Sequence, residues 1–285
     1  MRIRLFRLGA ALPSTRVVSG LTFAAVAVVA TIGVAAQATQ TAPPPKPAIE
    51  KAQEAPKPAA EKLPAASDLV ARHIKAIGGR EAVMSHSSSH ASGTFGVPAA
   101  GLTGTVEVFA AKPNRMLMKI TVPGLGEMLE GFDGTHAWSL SPMTGPALHQ
   151  GKQLEERRFD SEYYGELKSA ERYESMTTLE KTTLDGRPVY KVRLVRKGGG
   201  EDTEFYDVES GLKAGSVNTR ETPMGTITAT TIETDYKKFG NILVPTTIKQ
   251  SGMGVEQVMT INAVEFDTVD AKVFDPPAQI KALIK

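Results

Sequence analysis

Three residues that together could support acyl transfer stand close in "EGFDGTHAWSLSPMTGP" (130–146): the carboxylate of Asp133, the imidazole of His136 and the hydroxyl of Ser139. A hydrolase built on them would use Ser139 as nucleophile, His136 as base and Asp133 as orienter. The spacing argues against it, because strand residues three apart point to opposite faces and no G-x-S-x-G elbow lifts the serine. The Asp-Gly pair has a simpler explanation as a hairpin turn. Metal chemistry has one candidate set, His86, His90 and His136. On a strand His86 and His90 lie roughly 13 Å apart, too far to chelate one ion, so the stretch reads as a serine-histidine strand with no metal site. There is no P-loop and no G-x-G-x-x-G, and "RKGGGEDTEF" (196–205) reads as a glycine hairpin. No catalytic residues and no cofactor are expected, and a hydrolase using His136 is the weakest of the functional readings.

The elements around these residues begin with a basic start, Arg2, Arg4, Arg7 and Arg16, followed by the apolar run 17–36 and Ala36-Gln37-Ala38. That is the pattern of a secretory signal, residues 1–38, cleaved after Ala38. The run is also long enough to span a bilayer as an uncleaved anchor. Either way the rest of the chain is exported to the periplasm. Without those four arginines, the 33 basic residues fall to 29 against 31 acidic ones, so no broad basic face for nucleic acid exists. The 285 residues contain no cysteine, which removes disulfides, thiol nucleophiles and a lipidated Cys together. Residues 39–65 are rich in Pro, Ala, Lys and Glu and read as a disordered tether, which leaves 66–285 as the folded domain.

That domain opens with "SDLVARHIKAIGG" (67–79), an amphipathic helix with Ser67 as N-cap and Val70, Ile74 and Ile77 on one face. His73 lies beside that stripe as a packing or surface histidine. A second short helix fits "REAVMS" (80–85). From His86 the period becomes two: "RMLMKITV" sets Met116, Met118, Ile120 and Val122 on one face, and "VYKVRLVR" alternates in the same way. About eleven antiparallel strands can be drawn, divided by Asp-Gly, Gly-Gly and Gly-Asn turns, too many for a flat sheet. The expected fold is mainly β with few helices: a strongly curved antiparallel sheet, an unclosed barrel, with helices across its concave face. Residues 147–172 lose the two-residue period and place Phe159, Tyr163 and Leu167 four apart, which predicts a helix with Glu155, Glu156, Arg157 and Arg158 on its wet side. It would cap one end of the sheet or act as a lid. Nine methionines follow Met1, a flexible and polarizable filling for a core or for a surface that takes variable apolar ligands.

The helix ending in "AIGGREAV", the "EGFDGTHAWSLSPMTGP" hairpin, "LDGRPVYKVRLV", "EFYDVESGL", and "DYKKFGNILVPTTIKQ" followed by "FDPP" resemble the LolA/LolB-like family of outer-membrane lipoprotein carriers and receptors, over roughly residues 67–277. The resemblance implies an unclosed β-barrel, helices across its mouth, and an apolar cavity that holds acyl chains. Carried onto this chain it reaches only apolar strand positions: Met116, Met118, Ile120, Phe132, Trp138, Met259 and Ile261 are the candidate ligand-binding lining. The chain lacks the receptor's lipidated Cys, and its long tether sets it apart from the soluble carrier. The expected function is a non-enzymatic exported protein that binds a lipid or acylated ligand as carrier or chaperone. The alternative is a module of the same fold with a filled cavity that recognises an envelope protein. Membrane contact is expected only through the N-terminal run, if that is uncleaved.

Overall fold

A computed structural model describes residues 62–222 and 225–285. The signal 1–38 and most of the tether lie outside the described residues. The first helix, α1 (Ala66–Ala76), and the second, α2 (Gly79–Met84), form where expected. Ser67 sits inside α1 and does not cap it: Ala65 precedes the helix and no side chain bonds to its end. Six strands follow, β1 (Ser88–Val97), β2 (Leu102–Ala111), β3 (Arg115–Val122), β4 (Gly126–Phe132), β5 (Ala137–Ser141) and β6 (Gly145–His149). After the helix α3 (Gly151–Asp160), a 3-10 turn (Gly165–Lys168) and the short α4 (Ser169–Arg172) come β7 (Tyr173–Leu184), β8 (Arg187–Arg196), β9 (Glu201–Asp207), β10 (Lys213–Thr222) and β11 (Gly225–Thr234). Strands β12 (Lys237–Phe239), β13 (Ile242–Val244), β14 (Thr247–Gly252) and β15 (Val255–Phe266), a 3-10 turn (Ala271–Phe274) and α5 (Ala278–Lys281) complete the chain.

Thirteen strands form one antiparallel sheet in the order β6-β5-β4-β3-β2-β1-β15-β14-β11-β10-β9-β8-β7, and β12 and β13 pair separately. The sheet is unclosed: β6 and β7 are its edges. Those two strands were not legible as strands. Residues 147–149 belong to β6 and not to a helix, and β7, "YESMTTLEKTTL", is too polar and exposed to alternate visibly. Polar, charged edges are what keep an open sheet from pairing with another chain. The predicted helix 147–172 is therefore three shorter pieces after a strand. Its wet side also differs from expectation: Glu156 is buried and Arg157 is half-buried against Glu130.

One face of the sheet is interior throughout. Along β15, β1, β2 and β3 it presents a strand-only cluster that includes Phe95, Val106, Met116, Met118, Ile120, Met259 and Ile261. Along β8 and β9 it presents Val192, Leu194 and Tyr206, which pack on Ala66, Leu69 and Val70 of α1. The C-terminal end of α1 meets Tyr163, Tyr164, Leu167, Ile242 and Val244, so one helix spans the hollow of the curl.

Trp138 lies on the other face. It stacks in register over Gly131, beside Leu117 and Ala111, beneath Phe274 and Ile280 of the C-terminal segment. A Cβ at position 131 would run into the six-membered ring of the indole. Gly131→Ala should therefore destabilise the fold by about 1–3 kcal/mol, the range for overpacking a tight core. The native indole emission should be that of a buried ring, and the variant's should shift to longer wavelength; an unchanged unfolding midpoint would mean that Trp138 does not pack there.

Candidate functional site

The inner face holds a cleft walled by four strands on one side and by the end of α1 and the β13 segment on the other. Val108 of β2, Met118 of β3, Ile248 of β14, and Met259 and Ile261 of β15 form one side, and Ile77 with the run 242–245 forms the other. The alternation of each strand aims these side chains inward, as β3 shows with buried Met116, Met118, Ile120 and Val122. The enclosed space is about 40 Å³, room for a few waters at most, whereas ligand pockets usually span ~300–1,000 Å³.

The floor of this cleft is charged. Lys213, at the start of β10, sends its ammonium to Glu166 at 3.2 Å and towards Glu233 at 3.6 Å. Its backbone N–H donates to His73 Nδ1 at 3.0 Å, so the neutral imidazole carries its proton on Nε2, which faces Glu166 Oε2 at 3.5 Å. The Tyr236 hydroxyl lies 2.9 Å from both the Lys213 carbonyl and Glu233 Oε2. The phenol is the donor in both contacts, its one proton shared between the carbonyl and the carboxylate. The two carboxylates beside one ammonium differ in their surroundings. Burial pushes Glu166 up, but Lys213 and His73 outweigh it and hold the group at about 2. Burial and the neighbouring Glu166 charge push Glu233 up, despite Lys213. Lys213 itself is raised: burial disfavours its charge, and the surrounding glutamates more than offset that.

A second polar chamber of about 70 Å³ shares His73, Glu166, Lys213 and Glu233 with the cleft. Arg220 of β10 grips Asp160 of α3 with two nitrogens, each at 3.0 Å, and Asp202 of β9 at 2.7 Å. Burial raises Asp160, and Arg220 holds it below the usual carboxylate range. Phe159 carries the Arg172 guanidinium 3.9 Å above its ring centre, with Arg196 at 5.2 Å. These contacts tie α3 to the sheet.

Of the candidate lining, Met118, Met259 and Ile261 meet in the cleft. Met116 and Ile120 share its face in the adjoining strand core, and Phe132 is fully buried opposite Met116. Trp138 is corrected to the opposite face. His73 is no surface residue: it is buried and bonded to β10. The charged floor was missed, although β11 offered a signal, since Glu233 ends the inward column Ile227, Ala229, Thr231. Asp133 and His136 do meet, at 3.1 Å, inside a turn in which Asp133 Oδ1 accepts the N–H groups of Thr135 and His136. Burial pushes Asp133 up, and those bonds hold its carboxyl below the usual range. Ser139 stands in register with Glu130 and Ala147, two residues along β5. His86 bonds Asp267 and Asn241, and His90 stacks on Phe109 and bonds Glu107, so the three histidines occupy separate sites. Among the described residues no group of three or more His, Cys, Asp or Glu is placed to hold a metal ion, and no helix is long and apolar enough to cross a membrane.

No family model and no curated protein matches the chain. Solved structures do. A DUF1329 family protein from Desulfovibrio piger is 12% identical, with 75% of this chain and 98% of that one covered at a TM-score of 0.50. A LolA superfamily protein from Nitrosomonas europaea is also 12% identical, over 75% of this chain and 99% of that one, at a TM-score of 0.49. At this identity the likeness is one of fold alone, the fold shared with the Desulfovibrio piger protein.

The charged floor gives a pH dependence of definite sign. Glu166 and Asp160 sit below their unfolded values, so the stability they contribute is present above the ordinary carboxylate pKa and is lost as pH falls through about 4.5 towards 2. Glu233, raised, contributes in the opposite sense and loses its part as pH rises. For Glu166 the loss is about 3 kcal/mol. Glu166→Gln should shrink the drop in melting temperature between pH 6 and pH 3; an identical drop in both proteins would remove Glu166 from the account.

Proposed function

We propose that this chain is a non-enzymatic exported envelope protein that binds the acyl part of a lipid or acylated ligand in the cleft, as a carrier or chaperone. The observation that carries the reading is the junction of the two cavities: a wall of Met118, Ile248, Met259 and Ile261 ends on a charged floor of His73, Glu166, Lys213 and Glu233. An amphiphile has that same division, with a chain for the wall and a polar group for the floor. Entry requires the cleft to widen, and unbranched Met118 and Met259 can turn aside at little rotamer cost. At ~0.8 kcal/mol per buried methylene, ten methylenes reach micromolar affinity. Neither Asp133 nor His136 takes part, because their pairing belongs to the turn.

The small enclosed volume favours a second reading, a module of the same fold that keeps its cavity filled and recognises an envelope protein by its surface. Native mass spectrometry of the full chain purified from a bacterial envelope, followed by organic extraction, separates the two. The carrier reading expects a co-purifying acyl species, and Met259→Trp, which fills the cleft, should lose it while the chain remains folded. A clean apo mass that does not shift on adding phospholipid or lipopeptide would overturn the carrier reading in favour of the filled module.

A further inference from the structure

Five large apolar side chains are exposed among the described residues, and three of them occupy neighbouring turns on one rim of the sheet. Leu125 (36% exposed) is in the β3–β4 turn, Met143 (44%) in the β5–β6 turn and Met253 (59%) in the β14–β15 turn. The antiparallel order places these turns, with the exposed Pro98, Ala99 and Ala100 of the β1–β2 turn, on the same end of eight adjacent strands. At ordinary strand spacing the row is roughly 30 Å long. Isolated apolar residues on a surface are normal; a row of them on successive tips is not.

Two further facts set this rim apart. Its four turns, Pro-Ala-Ala-Gly, Pro-Gly-Leu, Pro-Met-Thr and Met-Gly, contain no charged residue, whereas the β8–β9 turn further along the same end brings Lys197, and the turns that follow β2, β4, β7, β9 and β11 at the other end carry Lys112, Asp133, Asp185, Glu209 and Asp235. Then there is the backbone of Met253. Among the described residues four non-glycine residues adopt positive φ; Asp185, Asp235 and Asp267 are of the type that tolerates it, and the fourth is Met253 at 53°. In a Met253-Gly254 turn with both φ positive, Asn or Asp is the favoured first residue. The chain accepts a strained methionine where a polar residue would relax the turn, and that methionine faces solvent.

We propose that this rim is a membrane-docking edge, which dips Met253, Leu125, Met143 and the Pro98–Ala100 turn into the interfacial layer of a lipid bilayer. A fluid surface accepts separate apolar tips along a convex row without a complementary partner shape. The charges nearest the row are Glu127 and Glu256, with no Lys or Arg within two residues of any of the four turns, so the edge suits zwitterionic lipid and gains nothing from anionic headgroups. The inference rests on the turns alone and holds whichever ligand the cleft takes.

The absence of cysteine makes the test direct. Full chains bearing Leu125→Cys, Met143→Cys or, at the opposite end, Thr135→Cys are labelled with an environment-sensitive fluorophore and mixed with phosphatidylcholine vesicles carrying brominated acyl chains. The two rim labels should shift to shorter wavelength and be quenched, the label at 135 should do neither, and anionic lipid should not strengthen the effect. Leu125→Asp with Met143→Asp should weaken vesicle association roughly tenfold or more. Met253→Asn should also weaken it while raising the melting temperature by about 2–4 °C, because the turn relaxes. Rim labels that stay in water while the chain is held on vesicles through residues 17–36 would overturn the proposal, as would equal response at 125, 143 and 135. A rim that ignores vesicles and is instead protected by a protein would overturn it as well.

Discussion

The ammonium of Lys213 is where the inner face converges. It is buried, its backbone N–H holds His73 of α1, its carbonyl faces Tyr236, and its charge answers Glu166 from the segment before α4 and Glu233 from β11. Removing one partner from such a group leaves a buried charge unpaired, at a cost of about 3–5 kcal/mol. The helix that spans the hollow, the excursion from one sheet edge to the other and two central strands are thus fixed to each other by one cation. An apolar replacement of similar volume throughout could be as stable. What the polar version supplies is a fixed arrangement: the hydrogen bonds accept one position of α1 over β10, whereas an apolar seam tolerates sliding.

That arrangement divides the hollow. From β15 to β4 the inner face is built of strands and is mainly apolar, with Gln257 of β15 and Glu130 of β4, opposite Met118, among its polar members; from β9 to β11 it carries Asp202, Glu204, Lys213, Arg220 and Glu233. The boundary lies at β14, where Ile248 is in register with both Glu233 on one side and Met259 on the other. A curled sheet turns this lateral sequence of strands into opposing walls, so a difference in composition along the sheet becomes an amphipathic cleft. Arg220, which grips Asp160, keeps α3 from covering the division differently.

What could be read from the sequence was whatever repeats locally. α1, α2 and the alternation of β3 and β8 follow from spacing within ten residues, and the Asp-Gly and Gly-Gly pairs mark turns by their own backbone freedom. The edges β6 and β7 were hidden because an edge strand has no buried face to alternate against. The charged floor was hidden because its members, from His73 to Glu233, lie 20 to 160 residues apart in the chain, and only their inward register, as for Glu233, betrays them. Trp138 is different: the sequence contained the means to place it. Phe132 and Trp138 flank a hairpin, and any hairpin with an even number of loop residues puts positions 132 and 138 on opposite faces. The observed pairs, Phe132 with Ala137 and Gly131 with Trp138, obey that parity. An aromatic residue beside a turn was assigned to the cavity on its chemistry, when strand geometry had already decided its side.

Methionine occupies three settings here, and composition alone merges them. Met116 and Met128 are buried in the strand core, Met118 and Met259 also line the cleft, and Met143 and Met253 stand in water. In the core a β-branched residue would favour the strand more, so flexibility is a cost that only irregular packing offsets. In the cleft the same flexibility becomes a property of the site, because a wall that can move aside need not be empty beforehand. At the rim neither argument applies: nothing is packed, and at Met253 the backbone itself opposes the residue. The strand-only cluster links these settings physically, running from Val97, Val122 and Val255 beside the rim turns to Met118, Met259 and Ile261 at the cleft, while buried Gln250 and Gln257, opposite each other on the same face, make the stretch along β14 and β15 partly polar.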